Sequence, residues 1–419
     1  MGQDHTEEIR AYDPLVNAGD PGRLKRVMER ASAGESITLV FLGGSITEGY
    51  SSTKPEYSYA ARIHACWQQR FPKAEIVYVN AGIGATGSIL GAARAERDVL
   101  SRRPDVVFVD FSVNDDNNEY MQETYEGLIR RLWLSGCAVV LLHFCFYDSG
   151  HSAEEVHAAV GRKYALPCIS IRSSLYAQIA DGIFKAEDIS ADMLHPNDEG
   201  HRRIAELVCD SLERLDGKAL PAATGTLSSN VYEHARILQN ADIDAELKGF
   251  VKDTKEAEYP ADHFRGGWTA KDAGAEISFH FRCSEIAVQL RRTVKRPAPL
   301  AAAVVDGDEE HAIILDANFD QDWGDGLPVI PLMRHGQLLY GMAPEGESPV
   351  HYPDYCDIIT EAGKKEAAAA EHSLSIRLLG TAPELGWKQG GVSEGGPAWI
   401  ESKRDDSTPG FDLLAVITA

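Results

Sequence analysis

Phe41-Leu42-Gly43-Gly44-Ser45-Ile46-Thr47-Glu48-Gly49 decides how the first half of the chain is read. The run Ile37 to Leu42 that leads into it is short and apolar on both faces, as a strand covered by helices on each side must be. Two glycines and a serine then stop it. This puts a hydroxyl at the carboxyl end of a strand, in the crevice where open α/β sheets bind ligands. Glu75 to Val79, Asp105 to Phe111, Ala138 to Phe144 and Pro167 to Ile171 repeat the strand pattern. Tyr57 to Arg70, Ile89 to Arg102, Glu119 to Leu134 and Ala153 to Tyr164 carry apolar residues at helical spacing between them. The alternation predicts a flavodoxin-like, three-layer α/β domain with a five-stranded parallel sheet in the order 2-1-3-4-5. A last helix follows Pro196, with Ile204, Leu207, Val208, Leu212 and Leu215 on one face.

The chain has 419 residues, enough for two domains. A hydrophobic share of 44% excludes a disordered chain. No apolar run reaches the roughly 20 residues that span a bilayer. The net charge of -23 repels phosphate backbones and anionic lipid, so neither nucleic acid nor membrane is an expected partner. Met1 to Arg10 lacks the apolar core of a secretion signal, and a cytoplasmic protein is expected. The seven cysteines form no C-x-x-C pair and read as reduced thiols.

Lys218 to Ser229 (KALPAATGTLSS) is small, polar and broken by Pro and Gly, as a linker would be. Beyond it, apart from a short helix expected around Val231 to Gln239, the period changes to two at Glu276 to Phe281, Ile286 to Leu290, His372 to Leu378 and Phe411 to Ile417. That rhythm predicts an antiparallel β-sandwich. The expected domains are therefore 1–217, with an N-terminal extension 1–34, and 230–419, joined by 218–229. Lys364 to Glu371 reads as an exposed turn or helix.

A serine hydroxyl is unreactive without a base. Ala191-Asp192-Met193-Leu194-His195-Pro196 offers one: three residues apart, Asp192 can hold one imidazole nitrogen of His195 while the other faces Ser45. Pro196 keeps His195 outside the following helix. An oxyanion needs donors, and the loops after the second and third strands offer the Gly82 N–H and the Asn114 amide. Taken alone, each loop could equally be a capping turn.

The order Gly-Gly-Ser, Gly, Asn-Asp, Asp-x-x-His resembles the four sequence blocks of the SGNH (GDSL-like) hydrolase superfamily over about residues 35 to 216. The resemblance implies Ser45 as nucleophile, His195 as base with Asp192 as its partner, and an oxyanion hole of the Ser45 and Gly82 N–H groups with the Asn114 side chain. Gly44 stands where the family usually has Asp, and Ser112 where it usually has Gly. The second half resembles the jelly-roll β-sandwiches attached to carbohydrate-active members. Trp268, Trp323, Tyr340, Tyr352, Trp387 and Trp399 could stack on sugars there or form core. The implied function is a serine esterase that removes acetyl groups from a small or oligosaccharide ester, with no cofactor and with dimerisation possible through the second domain.

Other readings stay open. Gly82-Ile83-Gly84-Ala85-Thr86-Gly87 is a literal G-x-G-x-x-G, able to hold a dinucleotide, with Asp110 ending the next strand. Asp192, His195 and His201 could bind a metal. Esters other than those of sugars, lysophospholipids and thioesters among them, remain possible substrates, as does a non-catalytic binding role on a relic hydrolase domain. Tyr50, Tyr57, Trp67, Phe146 and Tyr147 lie near the site, with core packing expected for each.

Overall fold

The computed structural model describes residues 12–216, 223–255, 263–295, 297–319, 325–339, 369–381 and 409–419. The chain divides into two compact units, residues 1–233 and 234–419. In the first, β1 (Leu15–Asn17), β2 (Ile37–Gly43), β3 (Ile76–Gly82), β4 (Val106–Asp110), β5 (Ala138–His143) and β6 (Cys168–Ser170) form one sheet in the order β1-β6-β5-β4-β2-β3. Strands β2 to β6 are parallel and, counted among themselves, run 2-1-3-4-5. The expected five-stranded sheet gains an antiparallel edge strand, β1, paired with β6. Three residues are too few to display an alternation in sequence.

The helices are α1 (Gly22–Ser32), α2 (Ser45–Glu48), α3 (Tyr59–Arg70), α4 (Ser88–Asp98), α5 (Glu119–Leu134), α6 (Glu154–Lys163), α7 (Ala177–Ala180) and α8 (Asp198–Arg214). Leu39 and Phe41 of β2 share a core with Ile63 and Trp67 of α3 and Ile204 and Val208 of α8. Val40 and Leu42, equally buried, point to the other face, where α4 and α5 pack. Covering both faces is what makes β2 apolar on both of them from Leu39 to Leu42. Among the described residues, no helix is long and apolar enough to cross a membrane.

Beside the carboxyl ends of β2 and β3, Arg94 of α4 is fully buried. Its guanidinium donates to the carbonyls of Ala81 at 2.7 Å and Gly43 at 3.2 Å, and it pairs with Asp98 at 3.2 Å. It thus ties together the ends of β2 and β3, with its charge compensated as burial demands.

Residues 223–233, which include the end of the stretch read as a linker, lie on α5. The buried Glu126 carboxylate accepts from the Leu227 N–H, the Ser228 N–H, the Ser228 hydroxyl and the Tyr164 hydroxyl. Arg130 pairs with Glu233. A Cβ on Gly127 would stand 2.5 Å from the backbone of Tyr232, so glycine there is a condition of the contact. The helix expected over Val231 to Gln239 is a 3-10 turn, Val231–His234, followed by the strand Arg236–Leu238. Pairing of that strand with Phe411–Thr418 overrides the helical pattern.

Among the described residues, the second unit consists of two sheets of antiparallel strands with a 3-10 turn, Glu309–His311. One sheet runs from Gln337–Leu338 through Val329–Arg334, Ile286–Leu290, Phe411–Thr418 and Trp268–Ala270 to Val251–Lys252. The other joins Ile313–Asp316, Pro299–Val305, Ala370–Thr381, Glu276–Cys283 and Glu246–Lys248. Both contribute to one core, in which Trp268 is buried edge-on to Phe279. Trp268 is therefore a core residue with no face free for a sugar. Trp323, Tyr340, Tyr352, Trp387, Trp399 and Cys356 lie outside the described residues, as do most of Lys364 to Glu371, whose last two residues begin a strand.

Candidate active site

Ser45 opens α2 immediately beyond the end of β2. A Cβ on Gly43 would stand 2.3 Å from the Thr47 hydroxyl oxygen, and one on Gly44 2.3 Å from Asn114 Oδ1. The double glycine is thus required by close packing around the turn. With Asn114 where it is, position 44 has no room for the aspartate usual in the resembled family. Gly49, at φ 103°, ends the helix in the left-handed region, and the Tyr50 N–H returns to the Ser45 carbonyl at 3.0 Å.

His195 is presented by a turn built on Asp192. Asp192 Oδ1 accepts the N–H groups of Leu194 at 3.0 Å and His195 at 2.7 Å, while Oδ2 lies 2.6 Å from His195 Nδ1. Met193, at φ 63°, makes the turn, and its carbonyl accepts the Tyr147 N–H at 2.7 Å. Burial pushes the Asp192 carboxyl up, but the hydrogen bonds from the ring and backbone of His195 and from Leu194 outweigh it and hold the group below its usual range. With a carboxylate at Nδ1, the proton is assigned to that nitrogen. The lone pair on Nε2 then faces Ser45 Oγ, 2.8 Å away.

The loop after β4 carries Asn114, whose side chain lies against Gly44. Ser112, in place of the family's usual glycine, fastens this loop: its hydroxyl is 2.8 Å from Asp110 Oδ1 and accepts the Phe144 N–H at 2.7 Å. Burial pushes the Asp110 carboxyl up to about 7. Ser45, His195 with Asp192, and Asn114 are thus brought together from three loops.

Gly82 differs from expectation. Its N–H donates to Asn80 Oδ1 at 2.9 Å, and a Cβ on it would stand 2.2 Å from the Glu48 nitrogen. It packs beneath α2 with its donor already engaged. The following turn approaches Ser45 instead: a Cβ on Gly84 would stand 3.7 Å from Ser45 Cβ. The Gly84 N–H donates to Glu48 Oε2 at 2.8 Å, and Ala85 is exposed at φ 55°. Burial pushes the Glu48 carboxyl up in spite of that bond.

The same loop does not fit a dinucleotide. Glu48 occupies the Gly84 N–H, and Asp115 Oδ1 accepts the Ser88 N–H at 2.8 Å where a phosphate would meet the start of α4. Two carboxylates repel a pyrophosphate. His201 is likewise turned from the proposed metal set. It accepts the Tyr59 N–H on Nδ1 at 3.2 Å and donates from Nε2 to the Tyr50 carbonyl at 3.2 Å. Its burial pushes it down to about 4. Among the described residues no three His, Cys, Asp or Glu side chains group as a metal site.

The model of the GDSL-like lipase/acylhydrolase family matches residues 41–203. Two solved structures of a two-domain esterase active on acetylated mannans, one co-crystallised with mannopentaose, are 36% identical to this chain and superpose with a TM-score of 0.82. Each alignment covers 98% of this chain and 97% or 98% of the other. The chain belongs to the GDSL-like lipase/acylhydrolase family. No curated protein matches this esterase.

Of the aromatic residues expected to pack inside the esterase, Trp67 and Tyr147 are buried and Tyr57 and Phe146 partly so, but Tyr50 is 56% exposed. Its ring lies 4.5 Å from that of His195. Sequence reasoning missed this exposure, and it also missed Glu48 and the left-handed Ala85. The acid three residues after the serine signalled Glu48; nothing in the sequence marks Ala85, since left-handed turns are usually glycine.

Proposed function

We propose that this esterase removes acetyl groups from carbohydrates, with acetylated mannan oligosaccharides as the substrate class, through a Ser45–His195–Asp192 triad. The observation that carries the reading is the 2.8 Å approach of Ser45 Oγ to His195 Nε2 while Nδ1 is held by Asp192. The likeness along the whole chain to a mannan-active esterase supports the substrate class. The acidic chain, with a net charge of -23, favours a neutral substrate of this kind.

In this mechanism Ser45 Oγ attacks the acetyl carbonyl carbon as its proton passes to His195 Nε2. The negative charge that forms on the carbonyl oxygen is met by the Ser45 N–H and the Asn114 side-chain amide. The Ala85 N–H, without a partner among the described residues, takes the place expected for Gly82. His195 returns the proton to the sugar oxygen as the ester C–O bond breaks, leaving acetyl-Ser45. A water molecule then gives its proton to His195, attacks the acyl carbon and releases acetate, which restores the Ser45 hydroxyl.

The test is acetate release from acetylated mannan oligosaccharides by the wild type and by Ser45→Ala. A folded Ser45→Ala variant is expected to lose about a thousandfold or more in kcat. Equal rates in both would refute the nucleophile. Activity on simple acetate esters with none on acetylated saccharides would refute the substrate class.

A further inference from the structure

We propose that Tyr50 is a substrate-positioning residue: its exposed ring beside His195 is the face against which the sugar ring carrying the ester packs. The inference rests on the carbohydrate reading above and adds a binding contact to it. Tyr50 is the only exposed aromatic residue among those described, with 56% of its surface open. A ring of this size left in water forgoes the burial that normally accompanies an aromatic side chain. Its hydroxyl has no partner among the described residues. The ring lies 4.5 Å from the His195 ring with the planes inclined by 56°, so it stands beside the reacting groups and leaves Nε2 to Ser45.

The backbone beneath the ring is held on every side. The Tyr50 N–H donates to the Ser45 carbonyl at 3.0 Å, and the Tyr50 carbonyl accepts from His201 Nε2 at 3.2 Å. Two residues on, the Ser52 N–H donates to the Gly49 carbonyl at 3.1 Å. The Thr53 N–H and hydroxyl both bond the Asp198 carboxylate, at 2.8 and 2.6 Å, tying the loop to the start of α8. An aromatic on so fixed a backbone loses little freedom when it is covered, which is the economical way to build a binding face. The C–H face of a pyranose packs on the π face of such a ring, with no charge needed on either partner. A ligand seated there would hold its ester within reach of Ser45, because Tyr50 is anchored to Ser45 itself.

The test compares wild type, Tyr50→Ala and Tyr50→Phe on two substrates. One is an acetylated mannan oligosaccharide; the other is ethyl acetate, which has no ring to stack. Acetate release is measured on both, with circular dichroism and melting curves to establish that each variant is folded. Tyr50→Ala is expected to raise KM for the oligosaccharide about tenfold with kcat altered far less. The ratio of kcat/KM on oligosaccharide to that on ethyl acetate then falls by about the same factor. Tyr50→Phe, which keeps the face, is expected to restore that ratio to within about twofold. The pH profile of kcat should be unmoved.

Equal losses on both substrates, or a displaced pH profile, would mean that Tyr50 acts only on His195 and would overturn the proposal. An unchanged oligosaccharide KM in Tyr50→Ala would overturn it as well. Wild-type enzyme that hydrolyses ethyl acetate but no acetylated saccharide would instead defeat the carbohydrate reading itself, and the stacking face with it. The wild-type comparison and the variant comparison thus separate the two failures.

Discussion

Replacing Asp192 by Ala and by Asn separates orientation of His195 from its charge. In Asp192→Ala the ring loses the 2.6 Å bond at Nδ1, and the turn loses the bonds from the Leu194 and His195 N–H groups. A charge-assisted bond is worth about 1.5–3 kcal/mol when shielded. The Asp192 side chain is 48% exposed, so water replaces part of what is removed and the lower half of that range applies. The expected loss in kcat is therefore roughly 10- to 50-fold. Asp192→Asn should be worse although it is the smaller change. Its carbonyl can keep both backbone bonds while its NH₂ group faces Nδ1, favouring the tautomer that carries a proton on Nε2, which cannot accept from Ser45. A loss on the order of a thousandfold is expected. The assay is kcat for acetate release from p-nitrophenyl acetate, with folding checked by circular dichroism. An Asn variant more active than the Ala variant would refute the orienting role. Because the Asp192 carboxyl is held below its usual range, its bonds persist above the ordinary carboxylate pKa of about 4 and are lost only below it. Inactivation already complete at pH 5.5 would have another cause.

Arg94→Leu leaves the buried Gly43 and Ala81 carbonyls without their shared donor, while Asp98 keeps its pair with Arg97, so it should cost about 3 kcal/mol. This appears as a fall of roughly 6–12 °C in Tm by calorimetry, and an unchanged melt would contradict the tie described for this residue. Stability should also fall with pH below about 6.5. Burial pushes His143 down to about 3 and His201 to about 4, so the unfolded chain takes up protons that the folded chain refuses. Asp110, pushed up to about 7 by burial, keeps a proton in the fold and opposes this between about pH 4 and 7. Two groups against one leave about 1.4 kcal/mol per pH unit, or roughly 3–5 °C in Tm, and a higher Tm at pH 4.5 than at 6.5 would reverse the sign. Among the thiols, Cys66 accepts a hydrogen bond from Cys209 and is pushed down to about 7, while burial pushes Cys145 and Cys168 up to about 12. Iodoacetamide at pH 7.5 should label Cys66 first in a mass-spectrometric time course, and equal labelling of the three would disprove this.

The parts of the site that were legible in sequence are those set by local chemistry. Gly43-Gly44-Ser45 ends an apolar strand, and Asp192 and His195 are close enough for one turn to join them. Both features depend on residue type and spacing alone. Gly82 shows where such reading fails: its donor is taken by Asn80, two residues earlier, a bond that becomes visible only once the strand end is folded. Tyr50 fails in another way. An aromatic residue has the same composition signal in a core as on an open face, and only the fold, which leaves this ring exposed beside His195, distinguishes the two. The parallel strands were legible because β2 and its neighbours are covered on both faces. The edge strand Leu15–Asn17 is too short for any period, and the strand Arg236–Leu238 is made by its partner rather than by its own residues.

The seat of residues 223–233 on α5 fixes where the hydrolase unit can be cut from the chain. A fragment ending at residue 216 would keep the buried Glu126 but lose three of the four donors that satisfy it. It would have to admit water or bind a proton at that point, and it would uncover the groove that Gly127 leaves open for Tyr232. Truncation after residue 233 spares all of these contacts, so a version of the enzyme cut back to its first unit needs a tail that the composition of the sequence would have discarded.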